Sequence, residues 1–444
     1  MTTLTQFLVT FSNLLESPFN NGFPIFLLKF VPYMIFLEAP VYVLVFLGIV
    51  RHVMRSHVNI PNAAPYYPQV SCMVTAYGEG KDVQVTIRSL VEQIYPGFIE
   101  VICVVDGALK NKDTYEAARQ MEAFVHQLPR RALSVVPKWQ RGGRVSSLNT
   151  ALELARGEIV MALDGDTSFD NNMIADATLN FLDPNVVGVA GCLRVRNITQ
   201  SLWTRLQAIE YLLSIHASKT GLSAFNIVNN ISGAFGVFRK SFVQAIGGWD
   251  SGTAEDLDIT LRMKNYFGRH PDLKIIFEPK AMGHTDVPVS FKGFLMQRLR
   301  WDGDLFYLYV RKHRLSLQPG ILGWRNLIMT LWTGLFFQLV LPFIILLYST
   351  WTLIVLPLGY ALAVWAVVYL FYLLVTLAFY VVFVLFLSER PRQDLKLAPF
   401  LPLVPCFTFL TRLWGGVSTL WEFLFKSHLD SSMAPWYVLR KTKF

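Results

Sequence analysis

One stretch of this chain, from Leu327 to Leu387, is apolar for about sixty residues and essentially uncharged. A helix needs only about 20 apolar residues to cross the hydrocarbon layer, so the stretch has room for two long helices or three short ones. Basic residues precede it at Arg311, Lys312 and Arg314 and follow it at Arg390, Arg392 and Lys396. Because basic flanks mark the cytosolic side of a membrane, an even number of crossings is expected, and two are favoured.

A second apolar run, from Phe23 to Val50, is also long enough to cross a bilayer, although Lys29 and Glu38 interrupt it. It has neither a basic start nor a small-residue cleavage site, which indicates a retained anchor and not a signal peptide. Arg51 and Arg55 follow it directly and predict that the chain continues in the cytosol, with the amino terminus outside.

The last apolar stretch, Leu397 to Phe425, is not a plain crossing by its sequence. It contains Pro399, Pro402, Pro405, Arg412, Gly415, Gly416 and Glu422, and Lys426, Arg440, Lys441 and Lys443 follow it. This pattern predicts a re-entrant or interfacial element before a cytosolic tail. Arg412 is either a functional charge at membrane depth or a side chain that snorkels to the surface.

Composition agrees with a membrane protein, since 53% of the residues are hydrophobic and 16% are charged. The net charge of +9 favours anionic lipid headgroups or phosphate-bearing substrates over nucleic acid, because the basic residues flank apolar runs and form no separate arm. The four cysteines have no paired spacing, so neither a zinc site nor a disulfide framework is indicated. We predict an anchor at 1–55, a cytosolic domain at 56–318 and a membrane region with a cytosolic tail at 319–444.

Within the cytosolic domain, acidic residues follow short apolar runs. A run from Gln69 to Thr75 precedes a turn and a helical pattern, and a second run, Ile99 to Val105, ends in Asp106. A third run, Ile159 to Leu163, ends in Asp164-Gly165-Asp166. This order predicts a parallel α/β sheet with its ligands at the carboxyl ends of the strands.

These acidic residues suit a nucleotide. Asp106 can accept a hydrogen bond from a base or ribose, and the D-x-D pair can hold Mg²⁺ or Mn²⁺ together with substrate phosphates. A solvated turn rich in Asp and Gly is the alternative if Asp164 and Asp166 are considered alone.

Two further elements follow the D-x-D pair, Glu255-Asp256 and Gln297-x-x-Arg300-Trp301. Transfer of a sugar to a hydroxyl group needs a carboxylate base, and we assign that role to Asp256. The departing diphosphate needs positive charge, which a metal and Arg300 can supply. Trp301 offers a flat face on which a sugar ring can stack.

The order of these motifs resembles the processive family-2 glycosyltransferases, which include cellulose, chitin, hyaluronan and poly-N-acetylglucosamine synthases. The resemblance covers about residues 68 to 312 and implies a GT-A fold. The resemblance implies a uridine pocket lined by Tyr77, Glu79 and Asp106, and a metal held by Asp166 with Asp164 beside it, towards the ribose and metal. It implies catalysis by Asp256 with Glu255. It also implies that Gln297 and Arg300 hold the diphosphate and that Trp301 faces the acceptor.

Some positions depart from the family pattern. Arg144 stands where a Lys after Gly is usual, which still allows phosphate contact in a more planar geometry. Ala254 replaces the usual Thr before the acidic pair. Thr285-Asp286-Val287-Pro288 resembles hyaluronan synthases and related chitin-oligosaccharide synthases, whereas Glu255-Asp256-Leu257-Asp258 is closer to poly-N-acetylglucosamine and cellulose synthases. The sub-family stays open.

His284 is a possible metal ligand, but a hydrogen-bonded structural role is favoured for it. The segment Ser201 to Leu222 has apolar residues at helical spacing and lies either at the membrane surface or in the core. Phe291 to Tyr309 is amphipathic and carries the Gln297 motif, so it is expected to couple the active site to the bilayer.

The resulting hypothesis is inverting transfer of a hexose, N-acetylglucosamine or glucose, from a UDP-sugar to a growing β-linked polysaccharide that crosses the membrane. Expected partners are the donor, the polymer, the bilayer and, as an open class, accessory secretion proteins; nucleic acid is not expected. A single-transfer enzyme acting on a ceramide or polyprenyl-phosphate acceptor is the first alternative. A transport or scaffold subunit that only binds nucleotide is the second.

Overall fold

The structure is a computed structural model that describes residues 2–21, 34–57, 66–250 and 254–426. The first part of the predicted anchor, with Lys29, lies outside the described residues. The same holds for Arg440, Lys441 and Lys443 of the predicted cytosolic tail.

One eight-stranded sheet organises the domain between the apolar segments. Its strands are β1 (Val70–Ala76), β2 (Ile99–Val105), β3 (Arg131–Pro137), β4 (Ile159–Asp164), β5 (Ser168–Phe169), β6 (Val186–Val195), β7 (Phe235–Arg239) and β8 (Lys274–Thr285). They lie in the order β3-β2-β1-β4-β7-β6-β8-β5. Strands β2, β1 and β4 are parallel, as the sequence predicts, and β3, which the sequence analysis does not identify, is parallel to β2. Strand β7 is antiparallel to both β4 and β6.

Helices surround this sheet and continue into the apolar segments. In chain order they are α1 (Thr3–Asn21), α2 (Ala39–His57), α3 (Asp82–Val91), α4 (Lys112–Gln120), α5 (Glu122–Val125), α6 (Gly143–Leu154), α7 (Met173–Leu179), α8 (Leu202–Glu210), α9 (Ser218–Ser223), α10 (Lys240–Ala245), α11 (Glu255–Lys264), α12 (Phe291–Phe306), α13 (Pro319–Leu322), α14 (Trp324–Met329), α15 (Leu341–Val355), α16 (Leu358–Phe386), α17 (Pro391–Asp394) and α18 (Val404–Phe425). Shorter 3₁₀ and π-helical segments are Met34–Glu38, Asn180–Leu182, Tyr211–Ala217, Tyr307–Lys312, Arg314–Ser316, Thr330–Val340 and Leu395–Leu403.

The central strands are buried on both faces, which explains why their sequences are mostly apolar. Alternate side chains point to opposite faces. Val70, Cys72 and Val74 belong to one hydrophobic cluster, and Met73 belongs to another on the opposite side. The first cluster also contains Phe383 of α16 and Phe407 of α18. One face of the sheet therefore shares its core with the apolar helices.

Four helical segments are long and apolar enough to cross a membrane, judged by length and composition. They are Phe36–Arg55, Trp324–Val355, Leu358–Phe386 and Pro391–Phe425. The sixty-residue apolar stretch thus forms two long helices, as its flanking charges predict. The segment Leu395–Leu403 forms a 3₁₀ helix around Pro399 and Pro402, and α18 continues it. Whether that last segment crosses or re-enters the membrane stays a prediction. Helix α1, which the sequence pattern leaves unassigned, packs against α16.

Ion pairs join the apolar helices to one another and to the sheet domain. Arg412 of α18 contacts Glu38 at 2.8 Å, and the Tyr372 hydroxyl donates to Glu38 at 2.7 Å. Arg194 of β6 pairs with Asp394 of α17 at 2.8 Å, and both side chains are less than a tenth exposed. Arg412 is thus paired within the apolar region, as charged groups at membrane depth usually are, and a role for it beyond this pair stays a prediction.

Candidate active site

The polar residues after the parallel strands lie at one edge of the sheet. Thr75 of β1 pairs in register with Asp164 of β4, and Ala76 pairs with Val105 of β2. The Asp106 N–H donates to the Ala76 carbonyl at 2.8 Å. This register brings the residues that follow β1, β2 and β4 to the same level, as the sequence predicts for a parallel sheet.

Asp106 organises the loop between β3 and α6. Its Oδ1 accepts from the Gly142 N–H at 2.8 Å, and its Oδ2 accepts from the Gly143 N–H at 2.9 Å. Lys138 Nζ lies 3.2 Å from Oδ1. Both carboxylate oxygens are therefore occupied by the loop, and a direct contact between Asp106 and a nucleoside stays a prediction. The Arg141 guanidinium lies over the Tyr77 ring at 4.7 Å, so the same loop closes on the predicted uridine pocket.

Arg144, at the start of α6, joins the D-x-D pair to the Glu255-Asp256 pair. Its guanidinium contacts Asp164 Oδ1 through Nη1, and its Nε lies 2.5 Å from Glu255 Oε1, an ion pair whose angle is poor for a hydrogen bond. Nη1 also donates to Thr75 Oγ1 at 2.8 Å, and Nη2 donates to the Gly233 carbonyl at 2.5 Å. The sequence predicts a phosphate contact for Arg144. In the structure it holds two carboxylates from separate elements, and its contact with phosphate stays a prediction.

Asp166 and Glu79 form an acidic edge beside this arginine. Burial and the neighbouring charge of Asp164 raise the pKa of Asp166 to about 6. Burial, with added repulsion from Asp166 and Asp164, raises the pKa of Glu79 to about 8. Glu79 Oε2 has no hydrogen-bond partner among the described residues. An added cation would stabilise the charged forms of carboxyl groups that are crowded and have raised pKa values.

The donor set fits a hard divalent cation. Mg²⁺ and Mn²⁺ prefer oxygen ligands, and Mg²⁺ is usually bound by one or two carboxylates together with substrate phosphates. Asp166 is the carboxylate available for this role, because Asp164 is already paired with Arg144. Within the described ranges no three His, Cys, Asp or Glu side chains form a ready-made metal cage, so a cation here would depend on the substrate's phosphates.

The predicted base, Asp256, lies in the first turn of α11. Its Oδ1 accepts from the Leu257 N–H at 2.7 Å, and its Oδ2 accepts from the Gly233 N–H at 3.0 Å. A side chain at Gly233 would place its Cβ 3.0 Å from Glu255 Oε1, so the glycine allows the acidic pair to approach the backbone. The Glu255 side chain is 12% exposed, and its partial burial raises its pKa while Arg144 opposes the rise.

Lys219 is a residue near Asp256 that the sequence pattern does not identify. Its Nζ donates to the Asn230 carbonyl at 3.0 Å, and the Asn230 amide lies 3.5 Å from Asp256 Oδ2. Burial lowers the pKa of Lys219 to about 8, and the charge of Asp256 acts against that decrease. The segment that holds the predicted base is thus itself held by a buried lysine. No local motif signals this role, because residues 219 and 256 are joined only by the fold.

The second aspartate of the Glu-Asp-x-Asp motif, Asp258, has a different environment. It is completely buried and pairs with Arg262 at 2.9 Å, with Lys312 at 2.8 Å and with His313 at 2.8 Å. Lys312 and His313 follow α12, which carries Gln297, Arg300 and Trp301. Asp258 therefore ties the helix of the predicted base to the end of the helix of the predicted diphosphate site.

The Gln297 motif itself lies on α12 at spacings of three and four residues, which is one helical face. Among the described residues, no hydrogen bond or ion pair connects Gln297, Arg300 or Trp301 to the carboxylate cluster. Gln297 Oε1 is buried without a described partner, and Trp301 is 37% exposed. Their roles towards diphosphate and acceptor stay predictions.

Arg298, which the sequence analysis does not assign, connects α12 to α8. It pairs with Glu210 of α8 at 2.6 Å and lies over the Trp301 ring at 5.0 Å. Burial raises the pKa of the nearby Tyr211 to about 12; the charge of Arg298 opposes the rise, and the charges of Glu210 and Asp166 add to it. Tyr211 thus lies between α12 and the D-x-D pair.

His284 belongs to a separate network. Its Nε2 lies 2.9 Å from Asp170 Oδ1, and Arg390 lies 2.8 Å from Asp170 Oδ2. The favoured interpretation of His284 as a hydrogen-bonded structural residue agrees with these contacts.

Comparisons with known proteins agree with this arrangement. The family model described as "Glycosyltransferase like family 2" matches residues 68–303. A poly-β-1,6-N-acetyl-D-glucosamine synthase of Staphylococcus epidermidis is 30% identical over 239 residues, which cover 52% of this chain and 53% of that protein. The enzyme of the same description from Staphylococcus aureus strain COL is 28% identical over 237 residues, with the same coverage. The chain spans about half the length of the curated relatives it matches.

A solved structure is similar over most of the chain. It is a mannosyltransferase of Pyrobaculum calidifontis in complex with GDP-mannose and Mn²⁺, with a TM-score of 0.54, 19% sequence identity, and coverage of 88% of this chain and 99% of that one. This likeness confirms the GT-A fold that the motif resemblance implies.

Proposed function

Because the chain belongs to the glycosyltransferase family 2 group of domains, we propose that it transfers a hexose from a UDP-sugar to a growing β-linked polysaccharide. The observation that carries the proposal is the contact of Arg144 with both Asp164 and Glu255, because it places the predicted metal and donor residues beside the predicted base. The named relatives synthesise a polymer of N-acetylglucosamine, which favours UDP-N-acetylglucosamine over UDP-glucose as the donor.

The chemistry proposed for the site is a single displacement. The acceptor hydroxyl oxygen forms a bond to the anomeric carbon as the bond from that carbon to the UDP oxygen breaks. The hydroxyl proton passes to Asp256, and UDP leaves with the electron pair of the broken bond. One displacement inverts the configuration at the anomeric carbon.

Charge on the departing diphosphate needs to be balanced. A bound Mg²⁺ or Mn²⁺ would supply Lewis-acid stabilisation of the phosphate oxygens. Asp166 would hold that cation, with Asp164 beside it, and Arg300 and Gln297 of α12 would contact the diphosphate from the other side. Arg144 would exchange one carboxylate for phosphate when the donor binds, since its guanidinium already faces the site.

The position of the apolar helices supports a proposal for the route of the product. The core shared by the sheet, α16 and α18 fixes the active site beside the apolar region. We propose that the catalytic domain lies on the cytosolic side, that Trp301 stacks on the acceptor sugar, and that the polymer leaves through the membrane helices, with accessory secretion proteins as further partners.

The test is a UDP-release assay on the purified full-length chain with UDP-N-acetylglucosamine, UDP-glucose and UDP-glucuronate, in Mg²⁺ or Mn²⁺. We expect release with one donor, loss of release after chelation, and a rate reduced by about 10²- to 10⁴-fold in Asp256→Asn, the usual contribution of a general base. Asp183→Asn is the matched control, because Asp183 pairs with Lys274 on the surface. Full activity of Asp256→Asn would refute the assigned base, and binding of UDP without UDP release by the wild type with any donor would leave a nucleotide-binding subunit as the better description.

Product analysis distinguishes the remaining alternative. A polymer stays in water during organic extraction and yields a ladder of sizes after digestion with linkage-specific hydrolases. A radiolabelled product that partitions into the solvent and carries one added sugar would instead identify a lipid glycosyltransferase.

A further inference from the structure

A cleft of about 200 Å³ lies where the sheet domain meets the first of the long C-terminal apolar helices. Its lining includes Asn226, Phe267, Gly268, Trp324, Arg325 and Asn326. None of them belongs to the carboxylate cluster. The cleft is thus separate from the active site in its residues.

Asn326 lines this cleft and carries an acceptor without a described partner. The residue is 4% exposed, and its Nδ2 donates to the Asn226 carbonyl at 3.3 Å. This acceptor decides which end of the Asn326 amide is the nitrogen and which is the oxygen. Its Oδ1 is buried and has no hydrogen-bond partner among the described residues. A buried acceptor left unpaired is unfavourable, so a ligand that donates a hydrogen bond here would be stabilised.

Arg325 supplies a positive charge at the same cleft. It is exposed and makes no ion pair within the described part of the chain. Arg51 of α2 lies over the ring of Phe225 at 5.5 Å, and Phe225 precedes Asn226, a lining residue, in the sequence.

Trp324 indicates the level of the cleft relative to the bilayer. It is the first residue of α14, where the apolar segment Trp324–Val355 begins, and it is 69% exposed. Exposed tryptophans at the ends of membrane helices characteristically lie among lipid headgroups, and basic residues beside them attract anionic lipids.

We propose that this cleft binds the headgroup of a phospholipid that carries a hydrogen-bond donor next to its phosphate. Arg325 contacts the phosphate, and Asn326 Oδ1 accepts from the hydroxyl or ammonium group of the headgroup. A headgroup with a phosphate but no donor, as in phosphatidylcholine, satisfies only the arginine. A soluble phosphate compound would match the charge but would leave the exposed Trp324 uncovered.

Native mass spectrometry of the full-length chain in detergent tests the proposal. Phosphatidylglycerol, phosphatidylethanolamine and phosphatidylcholine are added in equal amounts, and the bound masses are compared. We expect the first two to bind in preference to phosphatidylcholine. Arg325→Gln should reduce their occupancy about fivefold, the effect of one arginine near a membrane surface. Arg392→Gln is the matched control, since Arg392 is an exposed arginine beside another apolar helix.

Asn326→Leu should remove the discrimination against phosphatidylcholine. Because Asn326 is buried, this substitution can disturb folding, and the surface variant Arg325→Gln tests the cleft independently. The proposal is wrong if Arg325→Gln binds lipid as well as the wild type, if Arg392→Gln loses as much as Arg325→Gln, or if the three lipids bind equally. Displacement of the lipid by millimolar glycerol 3-phosphate would identify a soluble phosphate compound as the ligand instead, and would also overturn it.

Discussion

Substitution of Arg144 tests the central contact of the site. Its guanidinium reaches Asp164 and Glu255 at the same time, together with Thr75 Oγ1 and the Gly233 carbonyl. An ammonium group is a single point of charge and cannot match this fork. Arg144→Lys is therefore expected to keep one of the two ion pairs, and Arg144→Met to keep neither.

The expected magnitudes depend on which ion pairs each substitution removes. A hydrogen bond to a charged group contributes about 1.5–3 kcal/mol, so losing one pair should lower kcat/KM by about 10- to 150-fold in Arg144→Lys. Arg144→Met loses both contacts and leaves two carboxylates without their cation, so its loss of kcat/KM should be larger than that of Arg144→Lys. The three side chains are each less than a third exposed, so solvent screening reduces these values only modestly.

The pH dependence gives a second readout. Burial raises the pKa of Glu255, and the charge of Arg144 opposes that rise. Without Arg144 the pKa of Glu255 should increase further, so the acid limb of the pH–rate profile of Arg144→Met should lie at higher pH than that of the wild type.

The assay is UDP release by the purified full-length chain, with UDP affinity measured separately by calorimetry. Arg156→Met serves as the control, because Arg156 lies just after the same helix and is largely exposed. Retention of wild-type kcat/KM by Arg144→Lys, with superimposable pH profiles for all variants, would show that the contact has no catalytic importance.

Three other substitutions test interactions around the site and in the apolar region. Asp258→Asn should lower the thermal unfolding midpoint. The basic partners of Asp258 depress its pKa in the folded protein. The wild type should therefore be more stable than the variant by the same amount at pH 6 and 8, and should lose this advantage only below about pH 4, the pKa of an aspartate in the unfolded chain. An equal deficit at pH 3 would contradict this. The pKa of Lys219 is lowered to about 8, so its positive charge near Asp256 is lost above that pH. UDP release by the wild type should therefore fall above pH 8, whereas Lys219→Arg should keep its rate. Identical rates of the two proteins across alkaline pH would exclude a role for the Lys219 charge. Arg412→Gln should lower the unfolding midpoint in detergent, and adding Glu38→Gln should restore part of the loss; strictly additive effects would show that the pair is not coupled.

The sequence predicts three of the parallel strands, β1, β2 and β4, but not β3. Asp106 and Asp164 each follow a mostly apolar run, and parallel strands bring their carboxyl ends to one edge, so the acidic edge can be inferred without coordinates. The antiparallel strand β7 could not be inferred, because its run, Phe235 to Arg239, is short and follows a loop with no turn signature for a hairpin.

The pairing of the site residues was less predictable. Arg144 is expected at a phosphate, yet the fold places it between two carboxylates from β4 and α11. Lys219 and Arg298 have no motif of their own, and their roles depend on partners 11 and 88 residues away. Local spacing identifies the kind of chemistry, whereas the pairing of buried charges depends on which elements the tertiary fold brings together.

The hydrophobic core that the sheet shares with α16 and α18 has a mechanical consequence. A fragment containing only residues 66–312 would expose the apolar side chains that Phe383 and Phe407 now cover, and would lose the partner of Arg194. Such a fragment should aggregate when produced without its helices. The shared core should instead keep the sheet domain at a fixed position relative to α16 and α18 in the intact chain.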